Sequence, residues 1–284
     1  MYSYPLWLAA LSLLFLLLER LRPRRPQPLL RPGFFTDLAY LLLNSEYLGL
    51  LLGLLTLRLP ALPPAHLFSP LPFPLQFLSL LLLFDFAQWA IHNLLHRVPF
   101  LWRIHQVHHS ATHMDWLANW RFHGLEIVLY RTLLYPLAAL SGFSPEAMFA
   151  YGILNTTIGH FAHSNLNISL GPLQYLINNP HMHLWHHNHP DAGPVNRNFA
   201  ITLSLWDWLF RTAYLPPHDP HRLGFPGVEQ YPTNPLSQSL APFLPTALSQ
   251  STPSPSGDTA AAHQTTPNSD STSAPTRPNH SPPK

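Results

Sequence analysis

Long apolar runs separated by short polar stretches dominate the first 160 residues. The first three cover residues 5–18, 35–57 and 75–91, and each approaches the ~20 apolar residues that a helix needs to cross a membrane. Two shorter runs, 125–140 and 147–158, are separated by the turn-forming sequence SGFSP. The pattern predicts membrane helices, the last two forming a tight hairpin.

The arginines predict how these helices are oriented. Charge follows the first apolar run instead of preceding it, which favours a membrane anchor over a secretory signal. The loop between the first and second runs should be cytoplasmic, because loops rich in Lys and Arg stay on that side. Its arginines are Arg20, Arg22, Arg24, Arg25 and Arg31.

The predicted fold is all-α: a polytopic membrane helical bundle with a cytosolic, histidine-rich helical cap. We expect a membrane-embedded domain at residues 1–235, with its histidine-rich core at 85–214. Residues 236–284 are rich in Ser, Thr, Pro, Asn and Gln. Such a segment cannot bury enough apolar surface to fold, so we predict a disordered tail.

Composition excludes several classes of function. The chain has no cysteine, which removes disulfides, thiolate zinc sites, iron–sulfur clusters and cysteine nucleophiles. It has no basic stripe with interleaved aromatics, so no nucleic-acid partner is expected. Histidine remains as the residue type that could form a reactive or metal-binding site. The chain has 19 histidines, and 14 of them lie from His92 to His189.

These histidines recur at helical spacing. Residues at i, i+3 and i+4 share one helix face, so the three rings of an HxxHH box can converge. Two such boxes on the same predicted side of the membrane indicate a metal site. The clusters are His92 and His96; His105, His108 and His109; His160 and His163; and His183, His186 and His187.

Two assignments stay open at this level. His92 and His96 continue a polar stripe through Asp85 and Gln88, and this stripe is equally consistent with buried hydrogen bonds and no metal. His123 stands alone, and it fits a residue beside the site as well as it fits a ligand.

The ligand type narrows the choice of metal. Imidazole suits Zn, Cu, Fe and Ni, and the clusters contain more imidazoles than one ion can bind. Few carboxylates accompany them, Asp115, Glu126 and Asp191 being the nearest, so a carboxylate-bridged site is not expected. An all-nitrogen, two-metal site at a membrane surface fits activation of O2 against a lipid.

From residue 92 to residue 214 these motifs resemble the fatty acid hydroxylase / sterol desaturase superfamily. Gly124, Ala200 and Arg211 depart from the family pattern, but they lie outside the histidine boxes. The segments that carry the resemblance are LWRIHQVHHS at 101–110, RFHGLE at 121–126, HSN at 163–165, NPHMHLWHH at 179–187, NFA at 198–200 and WDWLF at 206–210.

The resemblance implies an O2-dependent, non-haem di-iron oxidoreductase that hydroxylates or desaturates a lipid, such as a sterol or a fatty acyl chain. It implies two iron ions, and no catalytic residues beyond their ligands. The implied ligands are His92, His96, His105, His108, His109, His163, His183, His186 and His187, with His123 and His160 as further ligands.

The implied partners are the lipid substrate, membrane lipids and a separate electron-transfer protein, since the chain shows no flavin or nucleotide fingerprint and no fused haem domain. The sequence predicts a multi-pass membrane protein and leaves the membrane open between a bacterial plasma membrane and an endoplasmic reticulum. Two other classes stay open. A membrane b-type haem protein would need its histidine pairs inside the bilayer. A histidine-rich metal carrier should have polar residues in several crossing helices, and only the Asp85 stripe approaches that.

Overall fold

Helices form the secondary structure of residues 4–44 and 67–244, the parts of the chain that the computed structural model describes. The prediction of an all-α fold is confirmed for these residues, which contain two isolated β-bridges and no strand. The α-helices are α1 (Tyr4–Leu21), α2 (Phe34–Leu42), α3 (Phe73–Arg97), α4 (Pro99–His109), α5 (Gly124–Ser141), α6 (Pro145–His163), α7 (Pro180–His186), α8 (Leu205–Leu209) and α9 (Pro235–Leu240). Short 3₁₀ helices occupy Trp116–Trp120, Gly171–Tyr175, Pro190–Ala192, Val228–Gln230 and Ala241–Phe243.

Local sequence sets where the histidine-bearing helices begin. Helices α4, α6 and α7 each start with proline at their first position, where the missing N–H costs nothing. Asn179 caps α7 by accepting hydrogen bonds from the backbone N–H groups of His181 and Met182, both at 3.1 Å. Gly142 ends α5 in the left-handed conformation, at φ 73°. The two helices predicted on either side of this turn are therefore present as α5 and α6, but they are not among the helix pairs that pack closely, so the tight hairpin is not confirmed.

Helix α6 lies at the centre of the described fold. It packs against α1, α3, α7 and the Trp116–Trp120 turn. One apolar cluster joins Leu80 and Phe84 of α3 to Ala147 and Tyr151 of α6. These contacts hold the carboxyl ends of α3 and α6, which both carry histidines, beside α7.

Within residues 4–44 and 67–244, two helices, α1 and α3, are long and apolar enough to cross a membrane. Helix α1 also exposes large apolar side chains, among them Leu6, Leu13 and Leu17. Together they indicate that the protein associates with a membrane. Of the second predicted crossing, 35–57, only residues 35–44 are among the described residues. The number of membrane crossings therefore stays a prediction.

The arginine-rich loop that predicted orientation is folded onto the histidine region. Arg24 donates to Asp219 at 2.8 Å, and the buried Arg31 donates to Asp115 at 2.7 Å. Asp37 in turn pairs with both Arg31 and Arg121, and all of these carboxylates and guanidiniums except Arg24 and Asp219 are buried. Arg24, Arg25 and Arg31 therefore also stabilise the fold, and the membrane orientation stays a prediction.

The predicted tail starts at residue 236, inside α9. Residues 236–243 are helical, and Gln238 among them is buried and donates to the Pro232 carbonyl at 2.7 Å and to Ser110 Oγ at 3.2 Å. The remainder of the predicted tail, 245–284, lies outside the described residues.

Candidate metal centre

Nine of the predicted ligands lie in two adjoining groups, both buried. Within each group, one ring nitrogen per histidine lies within 4.8 Å of the others. The five-histidine group contains His92, His96, His105, His109 and His186. The four-histidine group contains His108, His163, His183 and His187.

The two HxxHH boxes each serve both groups. Successive residues of a helix point about 100° apart, so adjacent histidines turn to different sides. In α4, His108 faces the four-histidine group and its neighbour His109 faces the other. At the carboxyl end of α7, His186 and the C-cap residue His187 divide in the same way. The ring centroids of His109 and His187 lie 4.3 Å apart, which places the two groups in direct contact.

Backbone carbonyls orient the rings of the five-histidine group. The Nδ1–H of His92 donates to the Phe199 carbonyl at 2.8 Å, and that of His186 donates to the Arg197 carbonyl at 2.9 Å. His105 donates from Nδ1 to Glu126 Oε1 at 2.9 Å. A neutral imidazole that donates from Nδ1 keeps a lone pair on Nε2. These three rings therefore turn lone pairs toward the centre of the group.

The four-histidine group is built in the same way. His108 donates from Nδ1 to the Arg121 carbonyl at 3.1 Å, and His163 donates to the Gly159 carbonyl at 2.9 Å. Their Nε2 atoms then face each other at 3.1 Å. The Nε2 atom of His183 lies 2.9 Å from that of His163 and 3.0 Å from that of His187.

The nitrogen spacing fits a bound metal ion. The Nε2 atoms of His92 and His105 are 3.1 Å apart, as are those of His108 and His163, and neither pair has a proton to share. Two facing lone pairs repel unless a cation lies between them. Metal–nitrogen bonds of about 2.1 Å, meeting at a right angle, place two ligand atoms about 3.0 Å apart. Both pairs therefore have the spacing of neighbouring ligands on one ion.

Burial keeps these imidazoles in the form that binds metal. Loss of hydration, together with repulsion from neighbouring histidines, lowers the pKa of each ring in the two boxes well below its ordinary value. The rings are neutral at neutral pH and can donate a lone pair to a metal. This holds for His105, His108, His109, His183, His186 and His187.

The structure does not bring the two further predicted ligands into either group. His123 caps α5, accepting from the Leu125 N–H at 3.0 Å, and its Nε2 donates to the Ser239 carbonyl at 3.0 Å. His160 stacks on Trp116, with ring centroids 5.2 Å apart, and donates from Nδ1 to the Thr156 carbonyl at 3.0 Å. Both histidines therefore contact residues outside the two histidine groups.

Sequence reasoning missed the groups that hold the ligands in place. Asp207, in the WDWLF segment at 206–210, accepts from the Phe199 and Ala200 N–H groups at 2.9 and 2.8 Å. It thereby fixes the peptide whose carbonyl orients His92. Asp85 accepts from the Thr202 and Leu203 N–H groups at 2.8 and 2.9 Å. The polar stripe that begins at Asp85 could have indicated the role of Asp85. The backbone carbonyls that orient the rings cannot be found from the pattern of side chains.

A cavity of about 280 Å³ adjoins both groups. His92 and His105 of one group and His108, His163 and His183 of the other form part of its wall. Its remaining polar lining is rich in amides and contains one guanidinium: Gln88, Asn44, Asn119, Asn155, Asn178, Thr156, Tyr4, Tyr130 and Arg131. The described residues around this cavity include no carboxylate. A ligand there could reach both candidate metal positions.

Comparison with known proteins adds a family and several relatives. A family model described as fatty acid hydroxylase matches residues 77–212, which include all nine grouped histidines. An ornithine lipid hydroxylase, OlsE, from Rhizobium tropici is 30% identical over 217 residues, or 71% of this chain and 64% of that protein. Alkylglycerol monooxygenases from Xenopus tropicalis and Homo sapiens are each 30% identical, over 51% and 45% of this chain and 31% and 28% of their own lengths. The chain thus spans less than two thirds of each of these relatives, and no solved structure matches it.

Proposed function

Because the chain belongs to the fatty acid hydroxylase family, we propose that it is a membrane-bound monooxygenase that uses O2 and two non-haem iron ions to hydroxylate a lipid. The observation that carries this proposal is the pair of nitrogen-only groups that meet at one cavity. Hydroxylation is favoured over desaturation because the similar proteins named above are a hydroxylase and monooxygenases.

Iron held by these groups would supply O2 activation and removal of hydrogen from a C–H bond. The chain's own residues hold the rings and shape the substrate site. The carbonyls of Arg121 and Phe199 keep the Nε2 lone pairs of His108 and His92 turned inward. At the cavity wall, the hydroxyls of Tyr4 and Thr156 hydrogen-bond at 2.8 Å and join α1 to α6. This wall limits water at the reacting carbon.

The cavity supports a substrate that is oxidised close to a polar group. The amides of Asn44, Asn119 and Asn155 and the guanidinium of Arg131 offer hydrogen bonds and one positive charge. We propose that a polar, anionic part of the lipid binds here. A carotenoid lacks such a group.

The reaction needs electrons and a membrane setting. Hydroxylation by O2 consumes two electrons and two protons beyond those of the C–H bond, since the second oxygen atom leaves as water. We propose that a separate electron-transfer protein supplies the electrons. We also propose that the chain is a multi-pass protein of a bacterial plasma membrane or an endoplasmic reticulum, with its histidines facing the cytoplasm.

Metal content, absorption and O2 consumption test the proposal together. We expect two irons per chain, no Soret band, and lipid-dependent O2 uptake with a reductant. His108→Ala or His187→Ala should lose iron and activity but still insert into membranes, because each removes a ligand from the four-histidine group. His113→Ala, which changes an exposed histidine outside both groups, is the matched control.

Each contrary outcome identifies a different error. A Soret band would support a haem protein instead. Bound metal without O2 uptake under reducing conditions would support a metal carrier. Wild-type turnover by His108→Ala would remove the four-histidine group from the mechanism.

A further inference from the structure

Glu126 is a buried carboxylate beside the five-histidine group. It lies in the first turn of α5, and its Oε1 accepts from His105 Nδ1 at 2.9 Å. Its second oxygen, Oε2, is buried and has no hydrogen-bond partner among the described residues. Nothing in the catalytic proposal above requires this side chain.

Other buried carboxylates of the described fold have more support. Asp37 pairs with two arginines, and Asp115 pairs with Arg31. Asp207 accepts from two backbone N–H groups, the Trp89 indole and the Thr212 hydroxyl. Glu126, by contrast, faces a single imidazole. A buried charge with so little compensation is costly to the fold.

A metal ion bound to His105 would provide a positive charge that compensates the buried negative charge of Glu126. The Nε2 of His105 points into the five-histidine group, while Nδ1 points at Glu126, so the ring lies between the two charges. The other rings whose Nδ1 partner is known in these groups, such as His92 and His163, face neutral carbonyls instead. A carboxylate behind a ligating histidine fixes the ring and strengthens its donation to the metal.

We propose that Glu126 is a positioning residue for the metal of the five-histidine group, acting through His105. Its negative charge offsets the positive charge of the ion and raises the affinity of the group for that ion. This inference rests on the proposed function only in requiring that the histidine groups bind metal.

Glu126→Gln separates this role from a purely structural one. The amide oxygen can still accept from His105 Nδ1, but the charge is gone. Metal affinity should fall about 10- to 100-fold, as is usual when such outer partners of a ligand are lost. Without metal, the variant should be as stable as the wild type or more stable, because an uncompensated buried charge has been removed. The rise in unfolding temperature on adding Fe²⁺ should therefore shrink.

The measurement is thermal unfolding of the purified full chain, with and without Fe²⁺, together with iron retained against a chelator. Glu146→Gln, at an exposed glutamate in the first turn of α6, is the matched control and should change neither quantity. Glu126→Asp keeps the charge on a shorter side chain and should recover part of the iron retention.

Three results would overturn the proposal. The first is iron retention by Glu126→Gln equal to that of the wild type, which leaves the proposed function intact. The second is an equal loss of stability with and without iron, which would make Glu126 a structural residue only. The third is a wild-type chain that takes up no metal, which would overturn the proposed function as well.

Discussion

The buried ion pairs around Asp37 should contribute strongly to stability. Asp37 has no exposed side-chain surface, and it joins Arg31, at 2.7 Å, to Arg121. Asp37→Asn leaves Arg31 with its second partner, Asp115, but deprives Arg121 of its carboxylate. The variant therefore leaves a guanidinium buried without a counter-charge.

Breaking a buried pair in this way typically costs about 3–5 kcal/mol. At about 2–4 °C for each kcal/mol in a fold of 150–250 residues, the unfolding temperature should fall by roughly 6–20 °C. The four-histidine group should loosen as well, because the Arg121 carbonyl orients His108 at 3.1 Å.

A matched substitution at the surface isolates the effect of burial. Asp191 is 63% exposed and pairs with Arg222, itself 37% exposed. Asp191→Asn should cost no more than about 1 kcal/mol, because water and salt screen such a pair. Thermal unfolding in detergent at fixed metal content compares the two variants. If Asp37→Asn lowers the unfolding temperature no more than Asp191→Asn does, the buried network does not stabilise the fold as argued.

Two further changes test the assignments around the site. His123→Ala should destabilise the chain by about 0.5–2 kcal/mol, because it removes the cap of α5. It should leave two irons bound. A drop in iron content would instead show that His123 is a ligand. Arg131→Gln should raise KM for an anionic lipid at unchanged iron content, and Arg131→Lys should have a KM between those of Arg131→Gln and the wild type. If the wild type and both variants have equal kinetics with an anionic and with a neutral lipid, Arg131 does not bind the substrate.

Helices and histidine boxes could be predicted from the sequence because both depend on local spacing. The turn at residues 141–145 and the prolines that begin α4, α6 and α7 act within a few residues of their own position. The i, i+3, i+4 spacing likewise brings three rings to one side of a helix before any tertiary contact forms.

The division of ligands between two groups depends on long-range packing. His160 and His163 share a helix face, yet His163 reaches a group while His160 packs under Trp116. The rotation of α6 against its neighbours decides this, and spacing alone does not contain it. The orienting carbonyls of Arg197 and Phe199 are backbone atoms, which a side-chain pattern cannot indicate.

The start of the predicted tail was set from amino-acid composition, which cannot show how the segment after Pro235 packs. Over a window of several residues this segment is polar, but single positions within it contact the fold. Gln238 is buried and contacts Ser110, beside an HxxHH box, and the Ser239 carbonyl accepts from His123. A window average cannot reveal contacts that depend on one side chain or one carbonyl.

The split HxxHH boxes couple the two metal positions mechanically. Helix α4, and α7 together with its C-cap residue His187, each turn one histidine of an adjacent pair to one group and its neighbour to the other. Neither segment can rotate to adjust the histidines of one group without moving a histidine of the other. If each group holds one ion, as proposed, an ion bound at one group would therefore also change the alignment of the rings in the other.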